Sequence, residues 1–134
     1  MSRPHLFATL LARGTRAHRL VNRTRDLVVA ARIEPAFDSR SRRKGLLGRQ
    51  FLPSDVVLAI APSSAVHTFG MQFPIDLLFV TRDGTVVKRV LSLKARRLSA
   101  SWRAFAVLEF AAGNPGVAVT RTGDRLAVEE TPQD

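Results

Sequence analysis

The sequence predicts a mainly β fold, either an antiparallel β-sandwich or a flattened β-barrel, with one or two short helices. Two observations lead to this prediction. The apolar segments are short and rich in Val, Ile and Leu, and glycine or proline separates most of them. Helical periodicity is confined to short stretches, so a fold of alternating strands and helices is not indicated.

The first predicted elements are a strand and a short basic helix. Residues 27–33 are β-branched and apolar and precede a Glu-Pro step, which predicts a strand that ends there. The helix follows, with Ser39 or Ser41 as its cap and Gly48 as its end. A continuous apolar run at residues 56–60 then predicts a fully buried strand.

A hairpin is predicted in the middle of the chain. Pro74 predicts a turn or bulge between a strand at 66–69 and a strand at 75–80. Asp83–Gly84 is a strong turn signal, so residues 85–93 should pair antiparallel with the strand before it. After an irregular basic stretch, we expect strands at 105–110 and 125–128, separated by a turn at 113–116.

The chain length and composition predict one core. At 134 residues and 46% hydrophobic, we expect a single β domain at 20–130, a flexible or short-helical arm at 1–19 and a frayed tail at 131–134. The absence of cysteine excludes disulfides and thiolate chemistry. No apolar run approaches the ~20 residues of a membrane helix. We expect a cytoplasmic location, and export remains open.

The net charge of +10 is concentrated in the first third of the chain. Residues 1–49 contain 12 basic and 3 acidic residues, whereas residues 50–134 contain 9 and 8. A solvated basic surface is the main interpretation. The alternative is an adaptor that binds nucleic acid or an anionic membrane through the N-terminal arginines.

Residues 67–80 place two ionisable side chains, His67 and Asp76, in an apolar segment. A buried carboxylate needs partners, and Asp76 can accept hydrogen bonds from turn N–H groups or pair with an arginine. We favour a structural pair with Arg49 or Arg43, which would make Asp76 a determinant of stability.

His67 and Glu109 are the other candidates for chemistry. We favour His67 as a histidine at the edge of the core, and alternation places Glu109 on the same strand face as Val107. His67, Asp76 and Glu109 would suffice for acid–base hydrolysis if they converged. No other histidine or carboxylate has metal-ligand spacing, so we expect no metal and no cofactor.

A basic and aromatic cluster follows the hairpin. Trp102 stands close to Arg96, Arg97 and Arg103 in the irregular stretch. The cluster could bind an anionic partner, but we favour packing of the tryptophan against the domain.

Several motifs, taken together, carry a family resemblance. They are Gly45-Leu-Leu-Gly-Arg49, His67-Thr-Phe-Gly-Met71, Pro74-Ile-Asp-Leu-Leu-Phe-Val80 and Asp83-Gly-Thr-Val-Val87, followed by Val107-Leu-Glu109, Ala112-Gly113 and Gly123-Asp124. Over residues 20–130 the chain resembles the domain of unknown function 192 family, an uncharacterised family of bacteria and archaea. The resemblance implies a compact, mainly β domain and no firm activity. Structural roles are expected for Arg43, Gly45, Asp83, Gly84, Gly113, Gly123 and Asp124.

The sequence departs from the family pattern in two segments, one of which is Asp55-Val-Val-Leu58, where many members have Gly-Met-Leu-Phe. In the other segment, many members have lysine and asparagine where this chain has Gln72 and Phe73, so ligand contacts of those side chains are not expected here. The functional prediction is a non-enzymatic module that binds a small ligand or a protein. Its candidate binding residues are Arg49, His67, Thr68, Met71 and Asp76.

Overall fold

The computed structural model describes residues 5–12 and 16–133. Within these residues the mainly β class is confirmed, with three short helices rather than one or two. The helices are α1 (Ala8–Ala12), α2 (Ser39–Lys44) and α3 (Pro115–Val119). The strands are β1 (His18–Asn22), β2 (Leu27–Ala30), β3 (Arg32–Ala36), β4 (Val56–Ile60), β5 (Ala65–His67), β6 (Ile75–Val80), β7 (Val86–Leu93), β8 (Leu98–Ala100), β9 (Ala106–Ala111) and β10 (Leu126–Glu130).

The strands form three sheets. The largest has the order β3-β4-β9-β6-β7, and its β3–β4 pair is parallel. A second sheet has the order β10-β1-β2. The two-stranded sheet of β5 and β8 is called the flap below. The described sheets do not close into a barrel, so the sandwich is the form that the chain adopts.

The three central strands of the five-stranded sheet, β4, β9 and β6, are buried on both faces. The sandwich face of this sheet carries Leu78, Leu108 and Phe110, which belong to one core with Leu20 and Leu126 of the three-stranded sheet. The opposite face carries Leu77, Phe79 and Val107, which belong to a second core with Leu46 and Leu52. We call this second face the cleft face. Neighbouring residues of one strand therefore point into different environments.

The predicted strand at 27–33 is divided into two. β2 ends at Ala30, and β3 continues through Pro35 to Ala36. A proline is tolerated there because β3 is an edge strand of its sheet. The next helix also differs from the prediction: Asp38 caps it by accepting from the Ser41 N–H, and it ends at Gly45 rather than Gly48.

The N-terminal segment packs against the domain. Leu6, Phe7 and Leu10 are buried in the sandwich core, and the Leu6 N–H donates to the Arg82 carbonyl. The predicted boundary between residues 19 and 20 falls inside β1, which starts at His18 because it pairs there with β10. Parts of the predicted arm (1–4 and 13–15) and tail (134) lie outside the described residues. No helix of the described part has the length and apolar character needed to cross a bilayer.

Acidic side chains offset much of the basic charge of the first third. Arg19 and Arg23 both contact Glu129, and Arg25 contacts Asp124. Further along, Arg32 pairs with Asp55 and Arg49 with Glu34, with N–O distances of 3.4 and 2.8 Å. The N-terminal arginines are therefore largely engaged within the domain.

The turns that precede β7 and β10 determine how the two large sheets meet. Gly84 has a φ of +92°, and a Cβ placed on it would lie 2.2 Å from the Leu126 carbonyl oxygen. Asp83 accepts hydrogen bonds from the backbone and hydroxyl of Thr85. Gly123 also has a φ of +92°, and its N–H donates to the Val86 carbonyl. Only glycine combines this backbone with such a close approach.

Candidate functional site

Asp76 is buried and held by backbone amides, not by an arginine. One carboxylate oxygen accepts from the Ser92 N–H at 2.8 Å, and the other accepts from Gly113 and Asn114 at 3.1 and 3.2 Å. No arginine of the described residues pairs with it. The predicted Asp76–arginine pair is therefore wrong, because three N–H donors already satisfy the carboxylate. The alternative of turn N–H donors is what the structure shows.

The position of Ser92 explains one of these bonds. The pairing of β6 with β7 is irregular between Ile75 and Leu77, and Ser92 has a φ of +53°. A bulge leaves a strand N–H without its ladder partner, and the Asp76 carboxylate accepts it. On its other side Asp76 fixes the start of α3, where Asn114 caps the helix. Asp76 is thus a structural residue and not part of a cleft.

Arg49 is engaged elsewhere. Its guanidinium makes two hydrogen bonds to the Glu34 carboxylate, at 2.8 and 3.2 Å. These bonds and the charge of Glu34 raise the pKa of Arg49, and Glu109 adds a smaller effect of the same sign. Arg43, the other predicted partner of Asp76, lies on α2 and faces the cleft described below. The prediction missed Glu34, 15 residues before Arg49.

Glu109 lies on the cleft face of the central strand β9. Its direct neighbours in the sheet are Leu58 on β4 and Leu77 on β6, both of which are buried. The predicted alternation is confirmed, since Glu109 and Val107 share this face while Leu108 and Phe110 do not. The residue is 4% exposed, so a carboxyl group stands within an apolar core.

This burial changes the acidity of Glu109. Desolvation raises its pKa from 4.5 to about 7, and the charge of Arg49 only partly opposes the shift. No described residue donates a hydrogen bond to the carboxyl group, which distinguishes it from Asp76. Near neutral pH, both the protonated and the ionised forms of Glu109 are populated.

A cleft of about 530 Å³ opens over this carboxyl group. Its lining comes from α2, the end of β4, the flap and β9. The lining residues are Ser39, Arg42, Arg43, Lys44, Gly45, Leu46, Leu47, Ile60, Pro62, Ser63, Ala65, Val66, His67, Met71 and Glu109. Gly45 keeps the space open, since a Cβ placed on it would lie 3.5 Å from Glu109 Oε1.

The basic side of the cleft is the last turn of α2. Arg42 is held by the Phe37 carbonyl at 2.8 Å, whereas Arg43 and Lys44 are exposed, with no ion pair to any described residue. Glu109 is the one acid among the described lining residues. The cleft thus combines free cationic side chains at its rim with a single carboxyl group at its floor.

The remaining predicted binding residues divide between the cleft and the core. His67 and Met71 line the cleft, but His67 is exposed on the flap with its ring 5.8 Å from that of Phe69. The prediction of a core-edge histidine is therefore wrong, because β5 has only the short β8 beside it. Thr68 is fully buried, and its hydroxyl donates to the Lys94 carbonyl at 2.6 Å.

Trp102 also departs from the prediction. Its side chain is 89% exposed, although packing against the domain was expected. The residue follows β8 in a turn rather than flanking a strand of a large sheet. Among the described residues, no group of three or more acidic, histidine or cysteine side chains is placed to hold a metal ion.

The fold and the cleft define a small β-sandwich with a polar cleft, and comparison with known proteins identifies the family. Residues 20–128 match the DUF192 family, described as Uncharacterized ACR, COG1430. Because the match covers most of the chain, the protein belongs to this family. No curated protein is significantly similar to it.

Two solved structures share the fold. A protein from Sinorhizobium meliloti 1021, provisionally described as a transcription regulator, is 22% identical, with a TM-score of 0.72 over 84% of this chain and 92% of its own. A protein of unknown function from Novosphingobium aromaticivorans DSM 12444 is 20% identical, with a TM-score of 0.68 over 82% of both chains. At this identity the likeness shows the fold alone.

Proposed function

We propose that the protein is a binding module whose cleft takes a small anionic molecule that also carries a hydroxyl group or another hydrogen-bond donor. The observation that carries this proposal is Glu109, a residue that is 4% exposed, lines the cleft and lacks a hydrogen-bond donor to its carboxyl group among the described residues. Its carboxyl oxygens are reached from the cleft and have acceptor capacity that no described protein group uses. A hydroxyl group of a ligand would donate to them.

The charge of the rim supports an anionic ligand. Arg43 and Lys44 stand at the mouth without ion-pair partners among the described residues, and His67 of the flap lines the same cleft. A phosphate or carboxylate group at the rim would be attracted to these cations, while a donor on the same molecule reached Glu109. An anion placed directly against the ionised carboxyl group would be repelled, so the two ends of the ligand differ in chemistry.

The size and the walls of the cleft agree with a small molecule. Its volume of about 530 Å³ lies within the range of ordinary ligand sites. Ile60, Leu46 and Met71 provide apolar contact surface between the rim and the floor. This pattern of apolar walls with a few polar groups fixes a ligand's orientation.

Matched probes test the proposal. Glucose 6-phosphate carries both features, glucose lacks the anion, and inorganic phosphate lacks the donor-bearing ring. A panel of sugar phosphates and hydroxy acids extends the comparison, with the thermal midpoint and calorimetric binding as readouts. We expect compounds with both features to bind more tightly than compounds with one. A panel in which no compound with both features binds would contradict the proposal.

Variants locate the binding in the cleft. Arg43→Gln combined with Lys44→Gln removes the rim charge, and Glu109→Leu removes the acceptor while suiting the apolar surroundings. Both should weaken binding about tenfold or more, because hydrogen bonds to charged groups contribute about 1.5–3 kcal/mol each. Arg40→Gln is the matched control, since Arg40 lies on the same helix but does not line the cleft. An equal loss of binding in the Arg40→Gln control would contradict the cleft as the binding site.

Acid–base catalysis is the second candidate for the same cleft. A carboxyl group with a pKa of about 7 is suited to proton transfer at neutral pH, and His67 lines the same cleft. Asp76 is excluded from this role because its side chain lies on the sandwich face. Hydrolysis of p-nitrophenyl phosphate or acetate that is abolished by Glu109→Gln would favour this candidate over a pure binding module.

A further inference from the structure

The outer face of the flap is exposed and apolar. In the β5–β8 pairing, Val66 and Ser99 are less exposed than their strand neighbours, and the exposed Leu98 stands opposite the exposed His67 as a direct cross-strand pair. Leu98 is 72% exposed. Phe69, which contacts the His67 ring, is 56% exposed. This face therefore presents aliphatic and aromatic surface to solvent without another element over it in the described structure.

Trp102 extends this surface beyond the end of β8. It follows Ala100 by two residues and is 89% exposed, the highest value among the exposed large hydrophobic residues of the described chain. Large apolar side chains that cluster on a surface mark interaction sites, in contrast to single exposed ones. Leu98 and Phe69 both neighbour His67 on the flap, and Trp102 lies in the turn that follows the strand of Leu98.

The charges around the flap have one sign. Residues 84–108 contain six basic residues and no acidic residue: Lys88, Arg89, Lys94, Arg96, Arg97 and Arg103. Lys94, Arg96, Arg97 and Arg103 are exposed in the segments that flank β8. A partner surface that complements this positive charge is anionic. Unlike Arg19, Arg23 and Arg25, these four are not paired with a described acidic side chain.

We propose that the outer face of the flap docks on an anionic lipid bilayer. Leu98, Phe69 and Trp102 would enter the interfacial region, where tryptophan in particular is favoured, and the four cations would contact lipid phosphates. Nucleic acid would use the tryptophan and the arginines but not the exposed leucine. The apolar chemistry of the patch therefore favours lipid, and Leu98, Phe69 and Trp102 do not line the cleft in which the ligand is proposed to bind.

Trp102 provides a direct readout because it is the one tryptophan of the chain. The full-length protein is mixed with vesicles of phosphatidylglycerol and phosphatidylcholine, or of phosphatidylcholine alone. We expect a blue shift of the tryptophan emission with the anionic vesicles only, quenching by brominated acyl chains, and weaker binding at high salt. Emission that stays unchanged with anionic vesicles would overturn the proposal, as would a shift with a single-stranded oligonucleotide alone.

Variants assign the binding to the flap. Arg96→Gln combined with Arg97→Gln should weaken binding to anionic vesicles by about fivefold for each arginine removed. Leu98→Ser should reduce binding without changing its dependence on salt. The controls are Arg121→Gln, an exposed arginine before β10, and Phe51→Ser, which removes a ring that is 70% exposed outside the flap. Equal losses in the controls would contradict docking through this face.

Discussion

Asp76 and Glu109 lie on opposite faces of one sheet, although their strands β6 and β9 are hydrogen-bonded neighbours. Asp76 stands opposite Phe110 and faces the sandwich core, whereas Glu109 stands opposite Leu77 and faces the cleft. The two carboxyl groups therefore cannot act on the same substrate atom. Their environments also differ, because one accepts three backbone hydrogen bonds and the other accepts none from the described residues.

Removing the Asp76 carboxylate should destabilise the fold strongly. Asp76→Ala leaves the N–H groups of Ser92, Gly113 and Asn114 without their acceptor, and an unpaired donor costs about 1–3 kcal/mol where it is buried, as at Asn114. We expect the free energy of unfolding to fall by about 2–4 kcal/mol in urea titrations. Asp55→Ala, which removes an exposed ion pair, is the control and should change it by less than about 1 kcal/mol. A small effect of Asp76→Ala would contradict the structural role.

Glu109 should make stability decrease as the pH rises. Its pKa is 4.5 when unfolded and about 7 when folded, so the native state binds the proton more tightly. The contribution of Glu109 to stability is therefore fully present below pH 4.5 and is lost as the pH rises through about 7, by an amount on the order of 3 kcal/mol. Glu109→Gln removes this dependence and should be more stable than the wild type at pH 8. If Glu109→Gln were less stable than the wild type at pH 8, the folded protein would instead stabilise the ionised form of Glu109.

Asp124 should make stability depend on pH in the opposite direction to Glu109. Burial alone would raise its pKa, but hydrogen bonds from Arg25, Asn22 and the Arg121 N–H outweigh burial and lower it. Its contribution to stability is thus present above pH 3.8 and is lost as the pH falls through the lower native value. Asp124→Asn should cost about 2 kcal/mol at pH 7 and less at pH 2. A cost that is independent of pH would show that charge is not involved.

Substitutions at two glycines that have the same backbone φ distinguish the cost of backbone strain from the cost of a steric clash. Gly84 and Gly123 both have a φ of +92°, but a Cβ on Gly84 would lie 2.2 Å from the Leu126 carbonyl oxygen, while one on Gly123 would meet nothing within 4 Å. Gly123→Ala should cost about 1–3 kcal/mol from backbone strain. Gly84→Ala should cost several kcal/mol more, as measured by the thermal midpoint. Equal costs would mean that the two sheets do not approach closely there.

The sequence predicted the parts of the fold that local patterns determine. The bounds of β4 and β6 follow from continuous apolar runs that end at proline or glycine, and the hairpin follows from Asp83–Gly84. β8 was not predicted, because its three residues lie in a basic stretch without alternation and are held by pairing with β5. Tertiary pairing, which no local pattern encodes, also explains why β1 was missed.

The candidate site was predicted only in part. Glu109, His67 and Met71 were named and do line the cleft, whereas Arg42 and Lys44 were not named because the α2 segment was expected only to stabilise the fold. The partners of Asp76 could not be found from the sequence. They are backbone N–H groups up to 38 residues away, and a backbone donor gives no residue-type signal.

The central claim is that Glu109, at the floor of a ligand cleft, presents a carboxyl group without a hydrogen-bond donor among the described residues. Titration of this carboxyl group tests the claim most directly. Glutamate labelled with ¹³C at the side-chain carboxyl carbon, with the Glu109 signal assigned by its loss in Glu109→Gln, reports the titration of this group by NMR. We predict a midpoint near pH 7, and a change in its chemical shift when a sugar phosphate or hydroxy acid is added. A midpoint near 4.5, with no response to any such compound, would contradict a buried and unpaired carboxyl group at the floor of a ligand cleft.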